Sequence, residues 1–297
     1  MKAKHKRRIK KHIVPFLVCA LLLALALTAL GGCINARTVR VRAENAYISG
    51  LDSRLEGLKL LFLSDFKLRT PRDAEQAVKL VSRLSELSPD MILLGGDITS
   101  LPEVVTMDAL NTLTAVRNAF LSGIDALEMP VYAVYGDQDL PLSAAEQAKY
   151  ANIRFLSDEQ KALRVNGAKL TLFGVADYSS GAVTEFGYEE DGAAAVIAIA
   201  HDPRTYHLIS VKTTGGRPCA DLVLTGHTLG GQIRLFGRNF RYADLPEQYM
   251  QGSYRFSSPM LISSGIGWEL LPVRLGTRPE ALLITLTGEA PAEPISY

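Results

Sequence analysis

The sequence predicts an α/β domain in which two stacked β-sheets carry helices on their outer sides. Three observations lead there. Between residues 58 and 135, short apolar runs alternate with amphipathic stretches of helical period. The second half switches to short, Gly-bounded apolar runs that begin at a hairpin signal. The polar clusters fall just past the carboxyl ends of the predicted strands, where open α/β sheets place their ligands.

The amino terminus is a separate unit. The first twelve residues carry seven Lys or Arg and no acid, and residues 13–30 are an uncharged run of 18, rich in Leu and Ala. As a helix such a run rises about 27 Å, close to the ~30 Å of a bilayer's hydrocarbon core. The basic flank predicts a cytoplasmic start, so the body faces outward, on the extracytoplasmic side of the cell membrane. Two readings are open. One is a retained single span. The other is a signal peptide ending at Leu30-Gly31-Gly32-Cys33, which resembles a bacterial lipobox, with Cys33 acylated. Cys19, inside the run, reads as a small apolar filler. The expected organisation is an anchor over 1–33, a linker and first strand over 34–56, and one domain over 57–297. Beyond the basic tip the chain holds 25 basic against 31 acidic residues, a sign that argues against nucleic acid as partner. Three scattered cysteines, Cys19, Cys33 and Cys219, cannot form a disulfide framework or a structural zinc site.

Within the body, 58–63 reads as a buried strand. Residues 73–87 read as a helix with Ala77, Leu80, Val81, Leu84 and Leu87 on one face and Pro89 beyond its end. Residues 91–94 form a strand stopped by Gly95-Gly96, 107–127 a second helix, and 131–135 a strand stopped by Gly136. This order implies parallel pairing through crossover helices. Asn166-Gly167 marks a hairpin between 162–165 and 170–174. The later runs 196–200, 222–225, 260–263 and 281–286 read as a mostly antiparallel second sheet, with loops at 185–192 and 212–218.

Five clusters carry the chemistry: Ser64-Asp65-Phe66-Lys67, Gly95-Gly96-Asp97, Gly136-Asp137-Gln138-Asp139, Ala200-His201-Asp202 and Gly226-His227-Thr228-Leu229. Carboxylates and imidazoles focused on one point suit Mn, Fe or Zn. Each residue also has a plain structural reading, since an Asp after a strand commonly caps a turn. His5, His12 and His207 carry no motif. Arg274 and Arg278 either reach an anionic substrate or form structural ion pairs.

These blocks resemble, in order, the D-x-H, G-D, G-N-H-[DE], lone His and G-H-x-H signature of the calcineurin-like metallophosphoesterase superfamily. The tail from Ser264 to Glu280 is similar to its small membrane-associated bacterial branch. The resemblance covers roughly residues 57–287. It implies a four-layer sandwich of two mixed sheets flanked by helices, and a two-metal phosphoesterase site bridged by Asp97.

The departures from that signature are specific. The first metal would take Asp65, Asp97 and two histidines whose places hold Lys67 and Leu229. The second would take Asp97, Asp137, His201 and His227, all able to ligate. Gln138 stands where the family has a proton-donating histidine, and its carboxylate partner Asp139 remains. The resemblance therefore implies one divalent metal rather than two, with Lys67, Gln138 and Asp139 at degenerate catalytic positions. Two functions follow: a weak, membrane-anchored hydrolase of a small phosphoester or pyrophosphate, and an inactive descendant that binds a ligand or partner at the envelope.

Overall fold

The computed structural model describes residues 2–178, 192–211, 213–214, 217–239, 245–246 and 249–289. The chain opens with α1 (Lys2–Asn35) and continues through β1 (Arg40–Tyr47), β2 (Lys59–Leu63), α2 (Pro71–Ser85), β3 (Met91–Leu94), α3 (Met107–Asp125), β4 (Val131–Ala133), α4 (Ala144–Gln147) and β5 (Ile153–Phe155). The second half holds β6 (Glu159–Val165), β7 (Ala168–Gly174), β8 (Ala195–Ile199), α5 (Tyr206–Val211), β9 (Thr213–Thr214), β10 (Arg217–Pro218) and β11 (Leu222–Thr225). It ends with β12 (Arg234–Leu235), β13 (Arg238–Asn239), β14 (Gly252–Tyr254), β15 (Met260–Ile262) and β16 (Glu280–Thr287).

Two six-stranded mixed sheets form the body, in the orders β1-β16-β2-β3-β4-β5 and β14-β15-β11-β8-β7-β6. Their strands are apolar on both faces because both faces are covered. Side chains alternate across a strand, so Leu60 and Phe62 of β2 meet Leu170, Leu172, Ile197 and Leu224 of the second sheet in the central layer. Leu61 and Leu63 point the other way, onto Ala77, Val81, Phe120 and Ile124 of α2 and α3. Tyr206 and Ile209 of α5 cover the far face of the second sheet at Phe173, Ala198 and Val223. The layers run helix, sheet, sheet, helix, as the four-layer expectation has it. Helix α2 begins two residues earlier than its apolar period shows, because Thr70 and Asp73 form a capping box around Pro71.

Two expectations are corrected. The second sheet is not mostly antiparallel: β7–β8, β8–β11 and β11–β15 pair parallel, and only β6–β7 and β14–β15 pair antiparallel. An apolar run carries no direction. Orientation follows from the connections, and those between β7, β8, β11 and β15 are long enough to cross over. The run at 281–286 does not join that sheet either. As β16 it lies in the first sheet, parallel to β1 and antiparallel to β2. Of the expected loop at 212–218, the described residues form the β9–β10 ribbon. Residues 185–191 of the expected acidic loop lie outside the described residues.

The tail after β15 is held by Arg274, which is fully buried. Its guanidinium donates to the carbonyls of Leu229, Ser264, Gly265 and Gly267. These partners are backbone carbonyls, not the acidic side chain of the expected ion pair. Each carbonyl left without a donor costs about 1–3 kcal/mol where water cannot replace it. Arg274→Met is therefore expected to destabilise the body by at least about 3 kcal/mol, read as a lowered midpoint in denaturant titration.

Candidate metal centre

The cluster-bearing loops leave the carboxyl ends of β2, β3, β4, β8 and β11, and the stacking of the two sheets turns them toward one another. Asp97, Asp137, His201 and His227 each offer a ligand atom, and these atoms all lie within 4.8 Å of one another. His201 Nε2 stands 3.2 Å from Asp97 Oδ2 and 3.3 Å from Asp137 Oδ1. His227 Nδ1 stands 3.2 Å from Asp137 Oδ1 and 3.2 Å from His201 Nε2. On the far side of its ring, His201 Nδ1 lies 2.7 Å from the Gly95 carbonyl. That contact places a ring proton on Nδ1 and turns Nε2 toward the cluster, the orientation a ligating imidazole requires.

The local backbone is held in a costly conformation. Asp65, Lys67, Asp97, His227 and Leu229 all have φ between 52° and 71°, in the left-handed region that side chains other than glycine seldom enter. Close approach explains the glycine beside His227. A Cβ on Gly226 would sit 1.9 Å from Ser64 Oγ and 2.6 Å from Asp65 Oδ2.

Asp65 stands outside the group of four. Its Oδ2 accepts from Ser64 Oγ at 2.5 Å and from the His227 backbone N–H at 2.9 Å. Its Oδ1 is buried without a hydrogen-bond partner. Lys67 is buried, its ammonium bonded to Asp97 Oδ2 and 3.5 Å from Glu269 Oε2. Burial pulls the Lys67 ammonium toward neutrality, but the carboxylates of Asp97, Asp65 and Glu269 outweigh it and raise its pKa, so the charge stays. Burial likewise pushes Asp97 up, and His201 and Lys67 bring it below the usual carboxylate range. Asp137 also lies below that range: burial opposes the shift, while hydrogen bonds from His201 and His227 drive it. His201 is raised well above an ordinary histidine; its burial is overcome by Asp97 and Asp137.

Gln138 and Asp139 brace the cluster from behind. Gln138 donates its side-chain N–H to Asp137 Oδ2 at 2.8 Å and its backbone N–H to Asp97 Oδ1 at 2.8 Å, and its side-chain oxygen Oε1 accepts from the Leu101 N–H. Both oxygens of Asp139 accept backbone N–H groups, from Thr99 and Gly136. Burial, with the nearby Asp97 charge, pushes its pKa up to about 7. Leu229 is buried and holds no ligand atom. Glu269 and Arg204 are neighbours that the sequence did not single out. Arg204 clasps Asp202, whose Oδ2 is 3.8 Å from His227 Nε2. Asp202 is visible beside His201 in the chain, whereas Glu269 reaches Lys67 from the tail segment 264–280, in which the sequence assigns it no ligand or catalytic role.

The donor set fits a divalent cation. Two carboxylates and two imidazoles crowd their lone pairs into one small volume, an arrangement a cation among them relieves. Lys67 bonds Asp97 Oδ2, the same oxygen that faces His201 Nε2.

No family model matches the chain. It is 26% identical over 249 residues to the protein YpbG of Bacillus subtilis (strain 168), with 80% of this chain and 85% of that one aligned. It is 26% identical over 239 residues to the phosphodiesterase YaeI of Escherichia coli (strain K12), covering 77% of this chain and 82% of that one. A transmembrane protein with a metallophosphoesterase domain from Danio rerio is 26% identical over 281 residues, 89% of this chain but 61% of the fish protein.

Removing one member of a buried charge pair costs about 3–5 kcal/mol, because the partner is left buried and alone. Lys67→Met leaves Asp97 with His201 as its remaining cationic partner, and is expected to lower stability by less than that amount in metal-free buffer. Denaturant titration checks it, and recovery on adding Mn would show that a metal can take over the ammonium's electrostatic work.

Proposed function

We propose, from the premise that this chain belongs to the calcineurin-like metallophosphoesterase superfamily, that it is a membrane-anchored phosphoric-ester hydrolase working with one divalent ion. The observation that carries this reading is the convergence of Asp97, Asp137, His201 and His227. These four hold the ion, with Mn, Fe or Zn suited to the donor set. When bound, the ion supplies Lewis acidity toward a phosphoryl oxygen and lowers the pKa of water.

The chain's own residues set the rest. Gln138 fixes the Asp137 carboxylate and so the direction of Oδ1, the oxygen that faces His201 and His227. Lys67 holds Asp97 and presents a positive charge where a second ion would have stood. It offers hydrogen bonds to a phosphate but no Lewis acidity. Asp139, with both oxygens on backbone N–H groups, positions the Asp97 and Asp137 loops. Gln138 cannot donate a proton to a leaving group, and a missing general acid costs about 10²–10⁴-fold. A slow enzyme follows. Its substrate is a small phosphodiester, phosphoester or pyrophosphate, including lipid-linked ones.

The membrane assignment rests on α1, whose segment Phe16–Asn35 is long and apolar enough to cross a bilayer, with mean hydropathy 2.6. We read it as a retained span, with the body on the extracytoplasmic face because the basic residues precede it. Gly32 favours retention over cleavage before Cys33. Its carbonyl accepts from the Arg274 N–H at 3.0 Å, and a Cβ there would sit 2.7 Å from Val273 Cγ1. A cleaved chain would lose that contact.

One observation favours a second reading, a non-catalytic descendant that binds a phosphorylated ligand or a partner. Lys67 already neutralises Asp97 and Leu229 offers no ligand, so the place of the first metal is filled by protein.

Metal analysis separates the two. The purified full chain, loaded with Mn and dialysed, is expected to hold about one ion per chain, and His201→Ala is expected to hold none while keeping its fold by circular dichroism. Absence of bound Mn, Fe or Zn in the parent protein leaves only the second reading. The triple change Lys67→His, Gln138→His, Leu229→His is expected to raise turnover of an aryl phosphate by about 10²–10⁴-fold. A folded, metal-loaded triple variant with unchanged turnover contradicts descent from a two-metal centre.

A further inference from the structure

Helix α1 does not dangle from the body. Its last turn is packed on the segment 273–275: Arg274 N–H bonds the Gly32 carbonyl, a Cβ on Gly32 would lie within 3.0 Å of Val273 and Leu275, and Ala36 just beyond is buried. Over residues 16–30 the helix is apolar on every side and uncovered, with Leu21, Leu22, Leu25 and Leu30 each more than half exposed. A helix of that kind is solvated by lipid.

The segment that receives α1 also carries two exposed apolar loops. On one side Leu275 is tied to the start of the β12–β13 hairpin, its carbonyl accepting from the Arg234 N–H at 2.8 Å and its N–H donating to Gln232. The tip of that hairpin is Phe236, whose side chain is fully exposed. On the other side lie Leu270 and Leu271, 71% and 63% exposed. Gln232 clamps the two loops together: its amide N–H bonds the carbonyls of Glu269 and Leu271, and its side-chain oxygen accepts from the Glu269 N–H. Scattered exposed apolar residues need no explanation. Three large ones on two loops braced against the root of a membrane-spanning helix do. Exposed Arg37 and Arg238 stand beside the helix end and the hairpin tip, as a surface facing lipid phosphates requires.

We propose that Phe236, Leu270 and Leu271 insert into the leaflet from which α1 emerges, so that the body rests on a lipid surface at three points and not on one helix alone. The consequence for the site is geometric. Glu269, the residue before Leu270, is 3.5 Å from the Lys67 ammonium, so the lipid-seated loop is the same loop that borders the candidate metal centre. The Trp268 carbonyl also accepts from Arg69, in the loop that follows Lys67. A phosphate carried at the membrane surface would reach the centre along this loop without leaving the headgroup layer. The proposal rests on α1 being a bilayer span and is independent of whether the centre turns over substrate.

The chain has a single tryptophan, Trp268, which makes depth measurable. The full chain is placed in nanodiscs of phosphatidylcholine and phosphatidylglycerol containing brominated lipids. In a Trp268→Phe background, one tryptophan is introduced in turn by Leu22→Trp, Phe236→Trp, Leu271→Trp or Arg164→Trp. Arg164 is an exposed residue of β6, the edge strand opposite β14 in the second sheet. Bromine deep in the acyl chain is expected to quench position 22. Bromine close to the headgroup is expected to quench 236 and 271 several-fold more than 164. Quenching at 236 or 271 no greater than at 164 overturns the proposal, and with 22 quenched it leaves the span and the metal-site readings standing. Loss of quenching at 22 overturns the span and this proposal together. If Phe236→Cys chains cross-link between copies while 236 stays unquenched, a second chain covers the surface, and the proposal fails.

Discussion

The organisation of this protein turns on one buried electrostatic arrangement: a lysine ammonium held on the carboxylate where the loops of two stacked sheets meet. Taking a charge of either sign out of water costs several kcal/mol, and the cost is recovered only when an opposite charge and good hydrogen bonds meet it. Lys67 and Asp97 meet that condition for each other, with Glu269 adding a second carboxylate. Asp97 is then shared. One oxygen faces Lys67 and His201, and the other accepts the Gln138 N–H. Shifting any of these loops would leave a charge buried without its partner, so the two sheets must stack in the register that assembles the cluster.

The same economy of contacts shows in the segment after β15. Arg274 gathers four carbonyls of the turns that follow β11 and β15, and its own N–H binds the end of α1. A few residues earlier, Glu269 faces the buried ammonium. One stretch of chain therefore links the apolar helix α1, the exposed leucines and the charged cluster, and its packing fixes the distance between the end of α1 and that cluster.

Backbone strain is concentrated where the chemistry is. Five residues of the cluster loops sit in the left-handed region, each at a cost of order 1–3 kcal/mol. Packed cores on both sides of each sheet meet that cost: Leu60, Phe62 and Leu93 inside, Leu61, Ile92 and Phe120 outside. Lys67 and Leu229, which carry an ammonium and an isobutyl group where the resemblance expects ligands, share this conformation with Asp65, Asp97 and His227.

Much of the fold was legible in the chain because its signals are local. The apolar period of 73–87, the run at 91–94 and the Asn166-Gly167 turn each specify an element through its own neighbours, and α2, β3 and the β6–β7 hairpin formed there. The grouping of Asp97, Asp137, His201 and His227 was legible through the resemblance, which assigns these four to one ion; the strand-end position alone marks Asp65 equally. Strand direction in the second sheet, the placing of β16 beside β1 and the reach of Glu269 to Lys67 were not. Direction and pairing depend on contacts between segments tens to hundreds of residues apart, which no local period encodes. By itself the sequence determined which side chains could hold charge and where each strand would end. Only the tertiary structure decided which charges share a burial site, that Asp65 stands outside the group of four, and that Arg274 serves backbone carbonyls. Desolvation depends on the whole surrounding volume and not on a residue's neighbours along the chain.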